Sequence, residues 1–240
     1  MSAPRLPGSI GMSRLSVYDW PTDDDLTGGS PHVHTVSAEA YSVVSGRGEV
    51  HTLSSGGFEV FPLEAGDSLS FTPGTIHRLV NHDRLEILTI MQNTGLPEAG
   101  DAVLTFPFDV LRDADRYQEA VTLSGSTEVE RANAARKRRD LAVLGYTTLR
   151  ASVEEHGSAA LREFHDLAAA LVQSKSEHWT QLWQATVEAE TERTRSQLAA
   201  IGRGDAAHLA EAVVTKAVPR PELAFGMCGR LHIWDAPPAT

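Results

Sequence analysis

Between residues 46 and 83, turn-forming residues recur so closely that no long element fits between them. They fall at Gly46–Gly48, Ser55–Gly57, Glu64–Asp67, Pro73–Gly74 and Asn81–Asp83. Glycine reaches backbone conformations closed to other residues, and proline cannot donate to a ladder, so these positions punctuate rather than continue an element. The segments in and around them are "RLSVYDW", "EAYSVVSG", "GEVHTLSS", "FEVFPL", "SLSFTPG", "HRLVNH" and "LEILTIM", short and rich in β-branched residues. Short strands at this spacing predict a β-sandwich or small barrel over residues 11–92.

The pattern then changes. Residues 93–125, with Pro97, Pro107 and "FPFDVLRDADRY", read as a connector carrying a short helix. Residues 127–214 are dense in Ala, Glu, Arg and Leu and predict several antiparallel helices. Leu161, Phe164, Ala168 and Leu171 share one helical face, as do Trp179, Leu182, Trp183 and Val187, while Gly145, Gly157 and Gly202–Gly204 stand as helix stops. Strand character returns in "ELAFGMCGRLHIWDAPP". The expected class is α+β: a β-barrel over 1–110, a helical region over 111–218, and a C-terminal strand over 219–240 returning to the barrel or to an oligomer interface. "RLSVYDWP" (14–21) and "RLHIWDAP" (230–237) echo one another. Either two equivalent sheet-edge strands pack symmetrically, the reading we favour, or the tail is a remnant of a second barrel copy.

Charge narrows the partners. Lys+Arg 21 against Asp+Glu 32 gives a net charge of −11, which argues against a nucleic-acid surface or attraction to anionic lipid. No run is apolar enough for a transmembrane helix. "MSAPRLPGSIGM" lacks the apolar core of a secretory signal, and Cys228 is the single cysteine. A cytoplasmic location is therefore expected.

The residues with chemistry stand in "SPHVHTVSAEAYSVVSGRG" (30–48). Side chains two apart on a strand share a face, so His32 and His34 point the same way. A turn after them can bring Glu39 back beside them. Two imidazoles and a carboxylate make three ligands for a first-row divalent metal, and His77, after the Pro73-Gly74 turn, is placed to be a fourth.

These two stretches resemble the two motifs of the cupin superfamily. "HVHTVSAEAYSVVSG" carries His-x-His, four residues, Glu39, six residues and Gly46; "GDSLSFTPGTIHRLVN" carries Gly66, Gly74, His77 and Asn81 at the matching spacing. There are departures: Thr72 holds the position of the motif's proline, with Pro73 one place later, and Gly28 and Gly29 lie closer to His32 than the leading glycine should. Neither touches a ligand. The resemblance covers roughly residues 12–95. It implies a cupin-type barrel (a double-stranded β-helix, or jelly roll), with His32, His34, Glu39 and His77 as ligands of one divalent transition metal. Iron is the first choice, with Mn, Zn, Ni or Cu as alternatives.

Strand parity puts Tyr41 on the face of Glu39, where it could donate a hydrogen bond to a bound substrate or simply fill the core. Leu85, Ile87, Thr89 and Met91 are expected to face inward. Arg47, His51 and His82 read as surface residues, and "RKRRD" (136–140) reads as a solvated helix face. His156, His165, His178 and His208 lack ligand spacing.

Cupins with this ligand set resemble several reaction classes. The leading expectation is an oxygen-using oxidoreductase of dioxygenase type acting on a small organic molecule, with Tyr41 as a catalytic donor. The alternatives are an isomerase or epimerase of a sugar or hydroxy-carbonyl compound, and a non-catalytic ligand-binding module. An isomerase of phosphorylated sugars would want an inward cationic clamp, which the barrel strands do not offer. Association as a homodimer through the echo strands is expected.

Overall fold

The computed structural model describes residues 6–235. Ten strands precede or follow the helices and one ends the described chain: β1 (Gly11–Val17), β2 (His32–His34), β3 (Glu39–Ser54), β4 (Gly57–Glu64), β5 (Ser68–Phe71), β6 (Ile76–Met91), β7 (Ala102–Leu104), β8 (Val218–Pro219), β9 (Ala224–Phe225), β10 (Gly229–His232) and β11 (Trp234–Asp235). Nine of them form one antiparallel sheet, ordered β4-β3-β6-β1-β10-β9, with β2 joined to β6, β7 joined to β2, and β5 on β3. This is the expected cupin-type barrel.

Two of the expected turns do not reverse the chain. Gly46–Gly48 lies inside β3 and Asn81–Asp83 inside β6, and these two strands pair from Glu39↔Met91 to Leu53↔Ile76. The register slips between Val43 and Gly48 instead of turning, with Gly46 at φ 76° and Arg84 at φ 42°. Bulges of this kind bend a strand and increase its twist, so one long pair can wrap both ends of a barrel. A side chain at Gly48 would have its Cβ 2.2 Å from the Val80 carbonyl, which is why glycine sits there.

The echo strands pair with each other. β1 lies antiparallel to β10 with Leu15 opposite Leu231, the equivalent leucines of the two copies. The two copies thus pack symmetrically, but neither is a sheet edge, since β10 is flanked by β1 and β9; residues 236–237 of the echo lie outside the described residues. β1 is also paired to β6 on its other side, so it is not a free edge for exchange with a second chain.

The connector holds more than one short helix. β7 adds to the sheet beside β2, and α1 (Phe108–Leu111) and α2 (Ala114–Val121) follow. Asp113 caps α2 by accepting from the amides of Asp115 and Arg116. The helical half consists of several helices, as expected, set in two long runs. The first is α3 (Glu128–His156), opened by a capping box between Thr127 and Glu130 and ended at Gly157, whose φ is 71°. The second runs through α4 (Ala159–Val172), α5 (Ser176–Trp183) and α6 (Ala189–Gly202), joined by a 3-10 turn and a π turn.

Gly145 is not a stop. It lies within α3, where a Cβ would stand 2.1 Å from the Thr105 carbonyl, so glycine here lets the helix axis approach the chain after β7. The basic run is solvated only in part: Arg136, Lys137 and Asp140 are exposed. Arg138 and Arg139 are buried, and Arg139 donates to the carbonyls of Trp20, Pro21 and Gly28 while Arg138 donates to that of Gly226. Charge density pointed to solvent, but loop carbonyls give these guanidinium groups acceptors inside.

Two cores result. Leu15, Val17, Tyr41, Val43, Val50, Leu63, Leu79, Leu85 and Ile87 fill the barrel with Cys228. Val33, Leu53, Ile76 and Val103 meet α3, α4 and α5 through Tyr146, Leu149, Phe164, Ala168 and Trp179 outside it. Leu85, Ile87, Thr89 and Met91 are all buried, as strand parity requires. Among the described residues no helix is long and apolar enough to cross a membrane.

Candidate metal centre

β2 is three residues long, and its alternation sends His32 and His34 to one side with Val33 to the other. β6 pairs His77 directly with His32, and Glu39 opens β3 across the barrel. One ligand atom from each of His32, His34, Glu39 and His77 falls within 4.8 Å of the others, and all four residues are buried. The four residues singled out from spacing are thus brought together.

Their hydrogen bonds orient them. His32 Nδ1 lies 3.0 Å from the Ser30 carbonyl and His77 Nδ1 lies 3.1 Å from that of Thr75. A carbonyl only accepts, so each Nδ1 carries the proton and each Nε2 presents a lone pair. Yet these two Nε2 atoms stand 3.1 Å apart. Two lone pairs at that separation repel unless a proton or a cation lies between them. Glu39 Oε2 faces the same point, 3.0 Å from His77 Nε2 and 3.3 Å from His34 Nε2, and is buried with no well-formed hydrogen bond. Three imidazole nitrogens and a desolvated carboxylate oxygen turned to one point fit a divalent transition metal.

Electrostatics agree with that geometry. Burial pushes the Glu39 carboxyl up, but His77 and His34 outweigh it and hold it well below the usual carboxylate range. His32 is driven well below the usual imidazole value by burial, then by His77 and His34. His34 goes the other way, to about 9: burial opposes its charge, and Asp101 and Glu39 overcome that.

Asp101 is the residue that spacing did not reveal. It is fully buried, accepts from the amides of Thr35, Val36 and Ser37, and places Oδ2 3.4 Å from His34 Nδ1. It therefore closes the turn between β2 and β3 and backs the His34 ring from behind. The helices hold this arrangement from outside. Lys175 donates to the Gly100 carbonyl at 3.1 Å and the Trp179 indole to that of Ala99 at 3.4 Å, and His165 donates to the Gly74 carbonyl at 2.8 Å. No sequence pattern marks a lone Asp in a connector as a partner of a histidine on another strand.

Above the cluster lies a cavity of about 320 Å³. Tyr41 lines it and is buried against Phe71, their rings 5.2 Å apart and edge to face. Burial, then Glu39, raises its phenol well above the ordinary range, so the group stays protonated and can only donate or accept a hydrogen bond. The far wall comes from the C-terminal segment: Met227, Cys228, Leu231, Ile233 and Arg220. None of the lining residues belongs to the helices over 127–214, so in the described structure the helices do not roof the cavity.

Of the other candidates, His51 is not a surface residue. It is buried beside Phe58, whose ring is 5.4 Å away and also carries the Arg150 guanidinium over it, and its Nε2 contacts Glu49 at 2.6 Å. α3 covers a strand face that would otherwise be solvated. His82 is exposed.

Residues 26–91 match the family model described as a cupin domain. Solved structures resemble it more distantly. Pac13, described as a unique nucleoside dehydratase, is 22% identical over 42% of this chain and 71% of its own, with a TM-score of 0.31. A Streptomyces PAC13 variant with uridine is 22% identical over 37% of this chain, which spans 63% of the length of that one, with a TM-score of 0.29. A cupin protein from Bacteroides fragilis is 22% identical over 36% of this chain and 65% of its own, with a TM-score of 0.26. No curated protein matches the chain.

Proposed function

We propose that this protein is a metal-dependent enzyme acting on a small organic molecule, an oxygen-using oxidoreductase of dioxygenase type, with His32, His34, Glu39 and His77 as ligands of an iron ion. The observation that carries the reading is the buried, mutually repelling pair of Nε2 atoms facing an unsatisfied carboxylate oxygen at the floor of a cavity. A metal held by these four residues would supply Lewis-acid and redox chemistry to a substrate in the cavity.

The protein's own residues do the rest. Leu15, Met91, Met227 and Leu231 bury the apolar part of a substrate and exclude water from the cluster. Tyr41, neutral and anchored by Phe71, donates a hydrogen bond to a substrate oxygen and fixes its orientation. Asp101 keeps the His34 ring turned toward the cluster.

The test is metal analysis of the protein purified without added metal, beside His77→Ala, with far-UV circular dichroism to check that the variant folds. Stoichiometric iron in the wild type, lost in the variant, is the expected result and justifies screening substrates by oxygen consumption. Stoichiometric zinc or manganese turns the reading to the isomerase class. No metal in either protein after reconstitution overturns the catalytic proposal.

A further inference from the structure

The inner face of the barrel carries a row of hydroxyls. Thr89 of β6 stands directly opposite Tyr41 of β3 on one side and Ser13 of β1 on the other, and residues opposite one another in a ladder share a face. All three line the cavity above the histidine cluster. Thr89 is 8% exposed, and its Oγ1 is buried with no hydrogen-bond partner. Leaving a buried hydroxyl unmet is costly. Packing does not ask for it either, because valine has nearly the same shape and is at home in a strand. The adjoining row, Val43–Ile87–Leu15, is filled by apolar side chains.

Resting on the reading of this cavity as the substrate pocket, we infer that Thr89 is a specificity-determining residue whose unmet hydroxyl accepts a hydrogen bond from a hydroxyl group of a neutral, amphipathic substrate. The substrate's apolar body lies against Leu15, Met91 and Leu231. The neighbours of Thr89 along and across the strands are Ile87, Met91, Tyr41 and Ser13, and none of them is charged. Outside the cluster the charged lining residues are Glu98 and Arg220; Glu98 accepts from the Gly95 amide at 2.9 Å, and Arg220 has an interaction of its own. A charged group brought to this wall would lose water without gaining a counter-charge. Among neutral groups a carbonyl only accepts, whereas a hydroxyl can accept from Tyr41 and donate to Thr89 at once. Rotation about χ1 carries Oγ1 between staggered wells, so the hydroxyl can turn to meet it.

The experiment is NMR titration of the full-length, zinc-loaded protein with benzyl alcohol and with toluene, which lacks the hydroxyl, alongside thermal melts of the ligand-free protein. Thr89→Val is expected to weaken benzyl alcohol binding about tenfold while toluene affinity and zinc content stay unchanged. Its melting midpoint should be no lower than that of the wild type and up to about 4 °C higher, because an unmet buried hydroxyl has been removed. Thr89→Ser, which keeps the hydroxyl and loses only the methyl, should restore alcohol binding. Alcohol affinity unchanged in Thr89→Val, an equal loss of both probes, or no binding of either to the wild type overturns the inference and leaves the metal reading intact. So does a Thr89→Val protein that melts lower or fails to fold, since the hydroxyl would then serve the fold. If zinc does not load, the metal reading fails by itself, and the same comparison on the metal-free protein decides the role of Thr89.

Discussion

His34 stands between two buried carboxylates: Glu39 Oε2 lies 3.3 Å from its Nε2 and Asp101 Oδ2 lies 3.4 Å from its Nδ1. The first belongs to the cluster. The second ties the ring to the turn that separates β2 from β3, so one carboxylate both shapes the loop and aims the imidazole.

Replacing that carboxylate should therefore show in two readouts. Asp101→Asn is expected to weaken zinc binding about 10- to 100-fold in a competition titration with a chelator. It should also lower stability in urea by about 2 kcal/mol, because three amide donors lose a charged acceptor. Unchanged zinc affinity with lowered stability would limit Asp101 to the turn.

Gly145 sets two physical effects against each other. Alanine is favoured over glycine inside a helix by about 1 kcal/mol. Here its Cβ would meet the backbone of Thr105, Phe106 and Pro107 at 2.1–2.6 Å, none of which is a flexible side chain. Gly145→Ala is expected to destabilise the protein by about 3 kcal/mol in denaturant melts, and a stabilised variant would show that α3 can move away at little cost.

The buried arginines should behave unlike their neighbour in the same run. Arg139→Met removes the guanidinium donor from the carbonyls of Trp20, Pro21 and Gly28, of which Trp20 keeps only the Gly28 amide, and should cost about 3 kcal/mol. Lys137→Met, at an exposed position of the same helix, should change stability by less than about 0.5 kcal/mol. Equal effects on thermal unfolding would contradict the clamp.

Asp24 gives stability a pH-dependent component. Burial raises its pKa, but hydrogen bonds from Arg78 and Thr22 outweigh that and lower it from 3.8 to about 2. A depressed carboxyl contributes stability above its unfolded value that is lost as pH falls through the folded one. Asp24→Asn should thus cost about 1–2 kcal/mol at pH 7, less than a fully buried pair because the Asp24 side chain is 27% exposed. The gap to wild type should narrow between pH 4 and pH 2 in acid-denaturation curves. A constant gap would show that the carboxylate's charge does not matter to the buried Arg78.

Local rules were legible where the chain makes its own geometry. Period-two alternation placed Leu85, Ile87, Thr89 and Met91 inside and set His32 beside His34, since strand parity needs only neighbouring residues. The same rules misread Gly46–Gly48 and Asn81–Asp83, because a bulge and a turn draw on the same residue types. They also misread Arg138, Arg139 and His51, whose exposure depends on what another element brings to cover them.

The sequence alone determined the barrel, the four clustered side chains and the length of helix that follows, because alternation, glycine placement and ligand spacing act over a few residues. The tertiary structure decided the backing of His34 by Asp101, the pairing of β1 with β10, and the burial of Arg139 against the carbonyls of Trp20, Pro21 and Gly28. Each of these joins segments far apart in the chain, and such contacts are chosen by how the closed barrel and the packed helices satisfy buried polar groups, which no local pattern encodes.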